Sequence, residues 1–362
     1  MERIESIKKA CSAFLDFTEI EEIENIPNGH INVTDRVKIN GKNYILQRIN
    51  TGIFKDPYGL MGNISAVTEF LRGKINQANG DPDRETLSLV KSRDGKFYHE
   101  NENGFYRMYL YITDATCYNK AEKKGMFGES ARAFGRFQNL LAEFDAKTLT
   151  ETIKDFHNTP VRFKNFERAL EENKAGRKDE VASEIEFFLA RKDYCPTITA
   201  RLADGRLPVR VTHNDTKLNN VMIDDKTGSG ICVIDLDTVM PGSMLYDFGD
   251  SIRFGASSAA EDEKDLDKVY CVNELYEEYV CGFLSEMKDT ITDEEIACLH
   301  DGAIMMTLEC GMRFLTDYLE GDTYFRTHYA GQNLDRARTQ IKLVSDMEAR
   351  RPEFEAIIKK YI

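Results

Sequence analysis

The spacing of apolar residues changes several times along the chain. Residues 4–17 set Ile4, Ile7, Cys11, Phe14 and Leu15 on one face, the pattern of an amphipathic helix. From Ile31 to Ile39 the period shortens to two, through Val33, Asp35 and Val37, as in a strand. Asn40-Gly41 is a tight-turn signal, and Tyr44–Ile49 reads as the second arm of a hairpin. A helix is expected over 61–78. A second hairpin is expected from Leu87–Val90, a turn at Arg93-Asp94-Gly95, and Lys96–Tyr98. Phe105 to Ile112 reads as one more strand.

Beyond residue 112 the pattern is mostly helical. Residues 130–145 align Ala133, Phe134, Phe137, Leu140, Leu141 and Phe144. Residues 292–320 open with Thr292-Asp293-Glu294-Glu295, a capping box, and continue as an Ile296, Leu299, Ala303, Met306, Cys310, Phe314 stripe. Between them lies a short β island: 208–212, 220–224, a Gly-containing turn over 225–230, and 231–234. The expected fold is therefore α+β and two-lobed. A small antiparallel β lobe spans 1–112, a mostly helical lobe spans 113–362, and a ligand cleft lies between them.

Composition narrows the function classes. A formal net charge of −14 argues against nucleic acid or an anionic membrane as partner. No apolar run approaches the roughly 20 residues of a membrane span. The start, Met1-Glu2-Arg3-Ile4-Glu5, lacks the shape of a signal peptide. The eight cysteines form no Cys-x-x-Cys pair and no zinc spacing with histidine, which suits reduced thiols. A cytoplasmic monomer is the expectation. The negative balance means that a nucleotide site must draw its positive charge from a few placed Arg and Lys residues.

The β island carries the chemistry. His213-Asn214-Asp215-Thr216-Lys217-Leu218-Asn219-Asn220 has the layout of a kinase catalytic loop, His-x-Asp with Asn five residues after the Asp. Phosphoryl transfer needs a carboxylate to take the acceptor's proton, and Asp215 suits that role. Asn220 offers an amide oxygen to Mg²⁺, and Asp235, at the end of the following strand, offers a carboxylate. Asp237 is either a second metal ligand or a solvated loop carboxylate. Asp247-Phe248-Gly249 spells the protein-kinase metal motif, yet it follows Pro241-Gly242 at a helix start, so Asp247 is read as structural, a helix cap.

Several further strings match one family. Pro27-Asn28-Gly29-His30-Ile31-Asn32, Tyr44–Asn50, Asp155-Phe156-His157-Asn158-Thr159-Pro160, the catalytic loop, and Ile234–Thr238 with Tyr246–Gly255 resemble the aminoglycoside phosphotransferase family, and within it the N-acetylhexosamine 1-kinases. The resemblance runs through nearly the whole chain in matching order. It implies a protein-kinase-like fold and Mg²⁺-dependent transfer of the ATP γ-phosphoryl to the anomeric hydroxyl of N-acetylglucosamine or N-acetylgalactosamine. It also implies that Asp215 is the base, with Asn220 and Asp235 on the metal. His30, Phe254, Arg313 and Tyr324 join Asp215 as sugar-binding positions on the same ground. Each has a plainer alternative. His30 could be a turn histidine, Phe254 a core residue, and Arg313 the partner of Glu309 or Asp317 in an ion pair.

One departure from the wider kinase pattern stands out. The second hairpin strand should carry a phosphate-binding Lys, but it reads Ile45-Leu46-Gln47-Arg48. Arg48 is the candidate substitute. Asn28 and Gly29 lie in the loop that would cover the nucleotide, and Tyr109 and Tyr111 in the interlobe strand where adenine is expected. A choline, homoserine or aminoglycoside kinase of the same family is the nearest alternative. An inert pseudokinase is the alternative of a different class.

Overall fold

The computed structural model describes residues 2–27 and 31–362, so Asn28, Gly29 and His30 lie outside the described residues. The N-terminal lobe is built around the expected hairpin. β2 (Val33–Ile39) and β3 (Lys42–Ile49) pair antiparallel, and Asn40 and Gly41 turn between them with φ of 51° and 75°. Two consecutive positive φ values match the right-handed twist of the arms, and Asn-Gly adopts them at low cost. β1 (Glu22–Ile26), which the periodicity did not signal, adds to the outer edge of β2. On the other side β3 pairs with β5 (Gly104–Leu110), which pairs with β4 (His99–Asn101), giving the order β1-β2-β3-β5-β4.

The expected second hairpin does not form. Ser88–Val90 instead runs beside β5. Val90 donates its N–H to Met108 O at 2.9 Å, and Leu110 donates to Ser88 O at 2.9 Å. The 92–96 turn is present, with Gly95 at φ 81°, but β4 rather than 96–98 pairs with β5. The open edge of β5 supplies partners for both segments, and that outweighs their local pairing. α1 (Glu2–Ser12) packs Ile7, Ala10 and Cys11 on the outer face of the sheet, against Val37, Ile39, Leu46 and Met108. α2 (Pro57–Gln77) covers the inner face and leads into the short α3 (Pro82–Glu85). Buried Asn63 of α2 ties this lobe to the other. It donates to Thr150 O at 2.8 Å and to Val239 O at 2.9 Å.

The second lobe begins with β6 (Ala115–Thr116) and α4 (Met126–Leu140). α5 (Thr159–Glu172), α6 (Ala182–Leu189) and α7 (Thr197–Ala203) follow. The β island comprises β7 (Arg210–Thr212), β8 (Val221–Asp224), β9 (Gly230–Val233) and β10 (Met240–Gly242). β6-β8-β9 form one antiparallel sheet and β7-β10 another. α8 (Met244–Gly255), α9 (Asn273–Met287), α10 (Asp293–Ala297), α11 (Leu299–Glu320), α12 (Gln332–Ala349) and α13 (Arg351–Lys359) complete the lobe. The capping box at Thr292 and Glu295 is present, but the expected 292–320 helix breaks at Cys298 into α10 and α11. α8 lies close on α11 because both carry glycine at the crossing. A Cβ at Gly249 would sit 2.2 Å from Gly302 O. That close approach brings the polar face of α8 beneath the β island.

Candidate active site

The catalytic loop joins β7 to β8, and buried groups hold it from below. Asn214 adopts φ 67°, a left-handed conformation that Asn tolerates when its side chain is anchored. Its amide donates to Thr238 O at 2.7 Å and Thr212 O at 3.3 Å. The fully buried Asp247 accepts the N–H groups of His213 and Asn214 at 2.9 and 2.8 Å, and the Gln138 amide at 2.7 Å. The cap of α8 is Ser243, so Asp247 anchors the loop rather than capping the helix. Asp250 accepts the Thr216 N–H at 3.1 Å and pairs with Arg253 at 2.9 Å. His213 bonds through Nε2 to Ile234 O at 2.8 Å, which ties the loop to the strand end that carries Asp235.

On this frame Asp215 stays partly exposed, with Lys217 Nζ 2.7 Å from its Oδ1. Burial works against the Lys217 charge, but the Asp215 and Asp250 carboxylates outweigh it and hold the ammonium protonated. Asn220 donates its amide N–H to Asp215 O at 2.8 Å and Oδ2 at 3.3 Å. The Asn220 amide oxygen has no hydrogen-bond partner among the described residues, so it remains available to a cation.

Asp235 follows β9 with φ 59° and opens a turn over Leu236–Thr238. Its carboxyl is pushed up to about 6, first by the surrounding protein and then by the carboxylates of Asp237 and Asp215. The residue keeps an exposed face, so solvent moderates this effect. The Asp235 carboxylate and the free Asn220 oxygen, brought together by the Ile234 N–H to Asn220 O bond at 2.9 Å, are hard oxygen donors of the kind a divalent cation takes. Among the described residues no cluster of three or more His, Cys, Asp and Glu forms a preset metal cage. Mg²⁺ needs none, because it binds through one or two carboxylates together with substrate phosphates.

The nucleotide side departs from expectation. Arg48 lies exposed on the outer face of the sheet, with Nη1 3.5 Å from Asn103 O, so it does not line the cleft. Strand alternation sends Gln47 to the inner face instead. Across from Gln47 in the β3–β5 register stands Arg107, buried to 1% exposure. Arg107 donates through Nε to Gln47 Oε1 at 2.8 Å, forms an ion pair with Asp237, and lies 5.3 Å from the Tyr109 ring. Asp237 is therefore not a solvated carboxylate. It is buried and also accepts from the Asn32 amide. Tyr109 is buried on the cleft side, and Tyr111 just past β5 lies 5.9 Å from the Arg36 guanidinium. A cation inside the apolar run Phe105–Ile112 was the sequence signal for Arg107.

On the acceptor side, neither candidate acid pairs with Arg313. Glu309 turns to His157 Nδ1 at 2.9 Å and accepts from the Thr159 hydroxyl at 2.6 Å. Burial raises its carboxyl, but His157, Arg313 and Thr159 hold it below the usual range. His157 Nε2 lies 3.4 Å from Asn214 O, linking this cluster to the catalytic loop. Asp317 accepts the backbone N–H groups of Thr323 and Tyr324 at 2.8 Å and of Phe325 at 2.9 Å, and so shapes the segment carrying Tyr324. Arg313 is left against aromatic rings, with centroids at 5.9 Å (Phe156), 5.8 Å (Tyr324) and 5.4 Å (Phe325), and 3.4 Å from the Tyr324 hydroxyl. Tyr324 and Phe254 are exposed rather than core, at 68% and 40%. Arg162 also lacks an acidic partner among the described residues and donates to Phe156 O at 2.8 Å.

Comparison with solved structures finds the same two-lobed fold. A microcompartment-associated aminopropanol kinase superposes with a TM-score of 0.64 at 15% identity, covering 97% of this chain and 98% of its own. A spectinomycin phosphotransferase solved with ADP and spectinomycin gives 0.58 at 13%, covering 97% and 98%. Choline kinase from Cryptosporidium parvum Iowa II gives 0.56 at 14%, covering 99% and 97%. Identities this low speak for the fold alone. The sequence itself matches a family over residues 22–279, a stretch containing the catalytic loop, Asp235 and α8, and on that match the chain belongs to the phosphotransferase enzyme family.

Proposed function

We propose that this small-molecule phosphotransferase transfers the γ-phosphoryl of ATP to the anomeric hydroxyl of an N-acetylhexosamine, giving the sugar 1-phosphate. The observation that carries the acceptor assignment is Arg313, a guanidinium that forms no ion pair among the described residues and is faced by Phe156, Tyr324 and Phe325. Aromatic faces and a planar donor suit a neutral, polar ring. Arg162 stands near enough to Arg313 to depress its own ionisation, after burial. Two guanidinium groups oppose a cationic acceptor such as choline, ethanolamine or an aminoglycoside. The strings at 155–160 and 246–255 support the same acceptor class.

In this reading Asp215 takes the proton of the anomeric hydroxyl, the most acidic on the sugar. The sugar oxygen bonds to the γ-phosphorus as the bond from that phosphorus to the β-bridging oxygen breaks, and ADP leaves with the electron pair. Lys217, with Nζ 2.7 Å from Oδ1, orients the Asp215 carboxylate. Asp235 and the Asn220 oxygen would hold Mg²⁺, which when bound screens the phosphate charge. His30, outside the described residues, is assigned to the sugar, as are Phe254 and Tyr324. Asn28, Gly29, Tyr109 and Tyr111 are assigned to the nucleotide.

The test is ADP release with a panel of N-acetylhexosamines, amino alcohols and aminoglycosides, followed by borohydride treatment of the product. A 1-phosphate has no free aldehyde and resists reduction. A reducible sugar phosphate would remove the 1-kinase assignment. Turnover confined to cationic alcohols would remove the sugar.

A further inference from the structure

We propose that Arg107 is the residue that grips the nucleotide phosphates, the cation having moved from β3 to the neighbouring strand β5 while Gln47 serves as its holder. The inference rests on the nucleotide half of the function proposed above and not on the acceptor.

ATP brings about four negative charges into a cleft that already holds Asp215, Asp235 and Asp237, on a chain of net charge −14. A cation inside the cleft is required beyond Lys217, which is engaged with Asp215. On the inner face of the N-terminal sheet, β3 offers none, because Gln47 is neutral and Arg48 points outward. Gln47 and Arg107 are directly paired in the antiparallel register, so their side chains project from the same face. The Gln47 amide oxygen accepts from Arg107 Nε at 2.8 Å, while its amide nitrogen donates to the Thr34 hydroxyl at 3.0 Å. This fixes the orientation of the glutamine and, through it, the plane of the guanidinium.

A buried guanidinium needs an anionic partner to remain in place. Asp237 supplies it from the opposite lobe, two residues beyond Asp235. Nε is taken by Gln47 and Nη1 by Asp237, and Nη2 has no protein partner among the described residues. Nη2 is thus the donor the protein leaves unused on a side chain only 1% exposed, and it is the one a phosphate oxygen would take as the nucleotide seats against it. The ion pair reproduces the logic of a lysine tethered by a glutamate. Here the tether comes from the metal-side turn, and Glu69 of α2 stays exposed.

The test is ADP titration by calorimetry in EDTA, where no metal contributes, with adenosine as the control ligand lacking phosphates. R107Q is expected to weaken ADP about 10–100-fold, the worth of a charge-assisted contact, and to leave adenosine within about twofold. The double variant Q47K/R107Q, which returns the cation to β3, is expected to recover most of the loss. D237N removes the tether of Arg107 and a carboxylate beside the phosphates together, so it is expected to change ADP affinity less than R107Q does. ADP affinity of R107Q within about twofold of the parent would overturn the proposal. So would D237N weakening ADP as much as R107Q does, since the ion pair would then act only by joining the lobes. If R107Q does not fold, R107K takes its place: it keeps the charge but lacks the guanidinium fork, so ADP is expected to weaken by about 3–10-fold with adenosine unchanged, and affinity within about twofold of the parent would overturn the proposal. An enzyme inactive on every N-acetylhexosamine but showing these ADP affinities would lose the acceptor assignment and keep this one.

Discussion

The carboxylate of Asp247 lies beneath the backbone of His213 and accepts its N–H at 2.9 Å, with the N–H of Asn214 on the second oxygen at 2.8 Å. This contact makes a buried aspartate on α8 the mould for a loop 32 residues earlier, at Asp215. The literal Asp247-Phe248-Gly249 string is thereby explained without a metal: Phe248 is core, and Gly249 is the crossing point with Gly302. D247N is expected to lower stability by about 1–3 kcal/mol, the cost of weakened buried charge-assisted bonds. Turnover should fall while the Mg²⁺ concentration for half-activity stays put. Activity against Mg²⁺ for D247N and D235N checks this, and a shifted curve for D247N alone would reverse the two roles.

Asp215 is expected to act as the base. D215N keeps the shape and removes the charge, so turnover should drop about 10²–10⁴-fold with nucleotide affinity retained. Single-turnover kinetics with calorimetric ADP binding separates the two effects. Near-parental turnover would exclude the role.

Asp235 carries the pH dependence of metal use. Its carboxyl is raised to about 6, so below that pH a proton competes with Mg²⁺ for the same oxygens. Apparent Mg²⁺ affinity should fall as pH drops through 6, by up to about tenfold per unit, and level off above it. In the metal-free enzyme the sign is opposite for stability. A raised carboxyl pKa means that the folded state binds more protons than the unfolded one from pH 4 to 6, so this group's contribution declines as pH rises through that window. Thermal melts of the parent and D235N without metal check it, the variant being flatter.

Arg313 and Tyr324 are expected to act on the acceptor and not on ATP. R313A should raise the sugar KM by roughly 10-fold or more, as loss of a hydrogen bond from a charged group does, with the ATP KM near the parental value. Y324F should have a smaller effect, because the ring remains. A selective change in the ATP KM would place Arg313 on the phosphates.

His300 sets an acid limit on the fold. It is 1% exposed, donates through Nε2 to Met347 O at 3.1 Å and accepts from the Tyr276 hydroxyl at 3.1 Å, an arrangement for neutral imidazole. Burial lowers its pKa from 6.5 to about 4. Between those values the unfolded chain binds the proton and the folded one does not, so stability falls as pH falls from 6.5 to 4, by up to about 3 kcal/mol. Denaturant midpoints across that range should fall less for H300F than for the parent.

Local chemistry made part of this protein legible in its sequence. His213 to Asn220 is one continuous loop, and Asp235 lies one hairpin further on, so spacing alone brought the three candidate groups together. Asn40-Gly41 specified its hairpin because the turn is encoded in the two residues that make it. Tertiary structure decided what depends on competing partners. Gln47 and Arg48 are adjacent, and only the packing of α1 on the outer face determined which of them turns inward. Glu309 and Asp317 both had helical spacing to Arg313, yet His157 and Thr159 claimed one, and the N–H groups of 323–325 claimed the other. Ser88–Val90 found the edge of β5 instead of its neighbour in sequence. Arg107 and Asp237 stand in different lobes, and neither position alone reveals that the cation missing from β3 sits on β5. In these cases the groups that meet are far apart in sequence or compete with a neighbour for one position, and only long-range packing decides which contact forms.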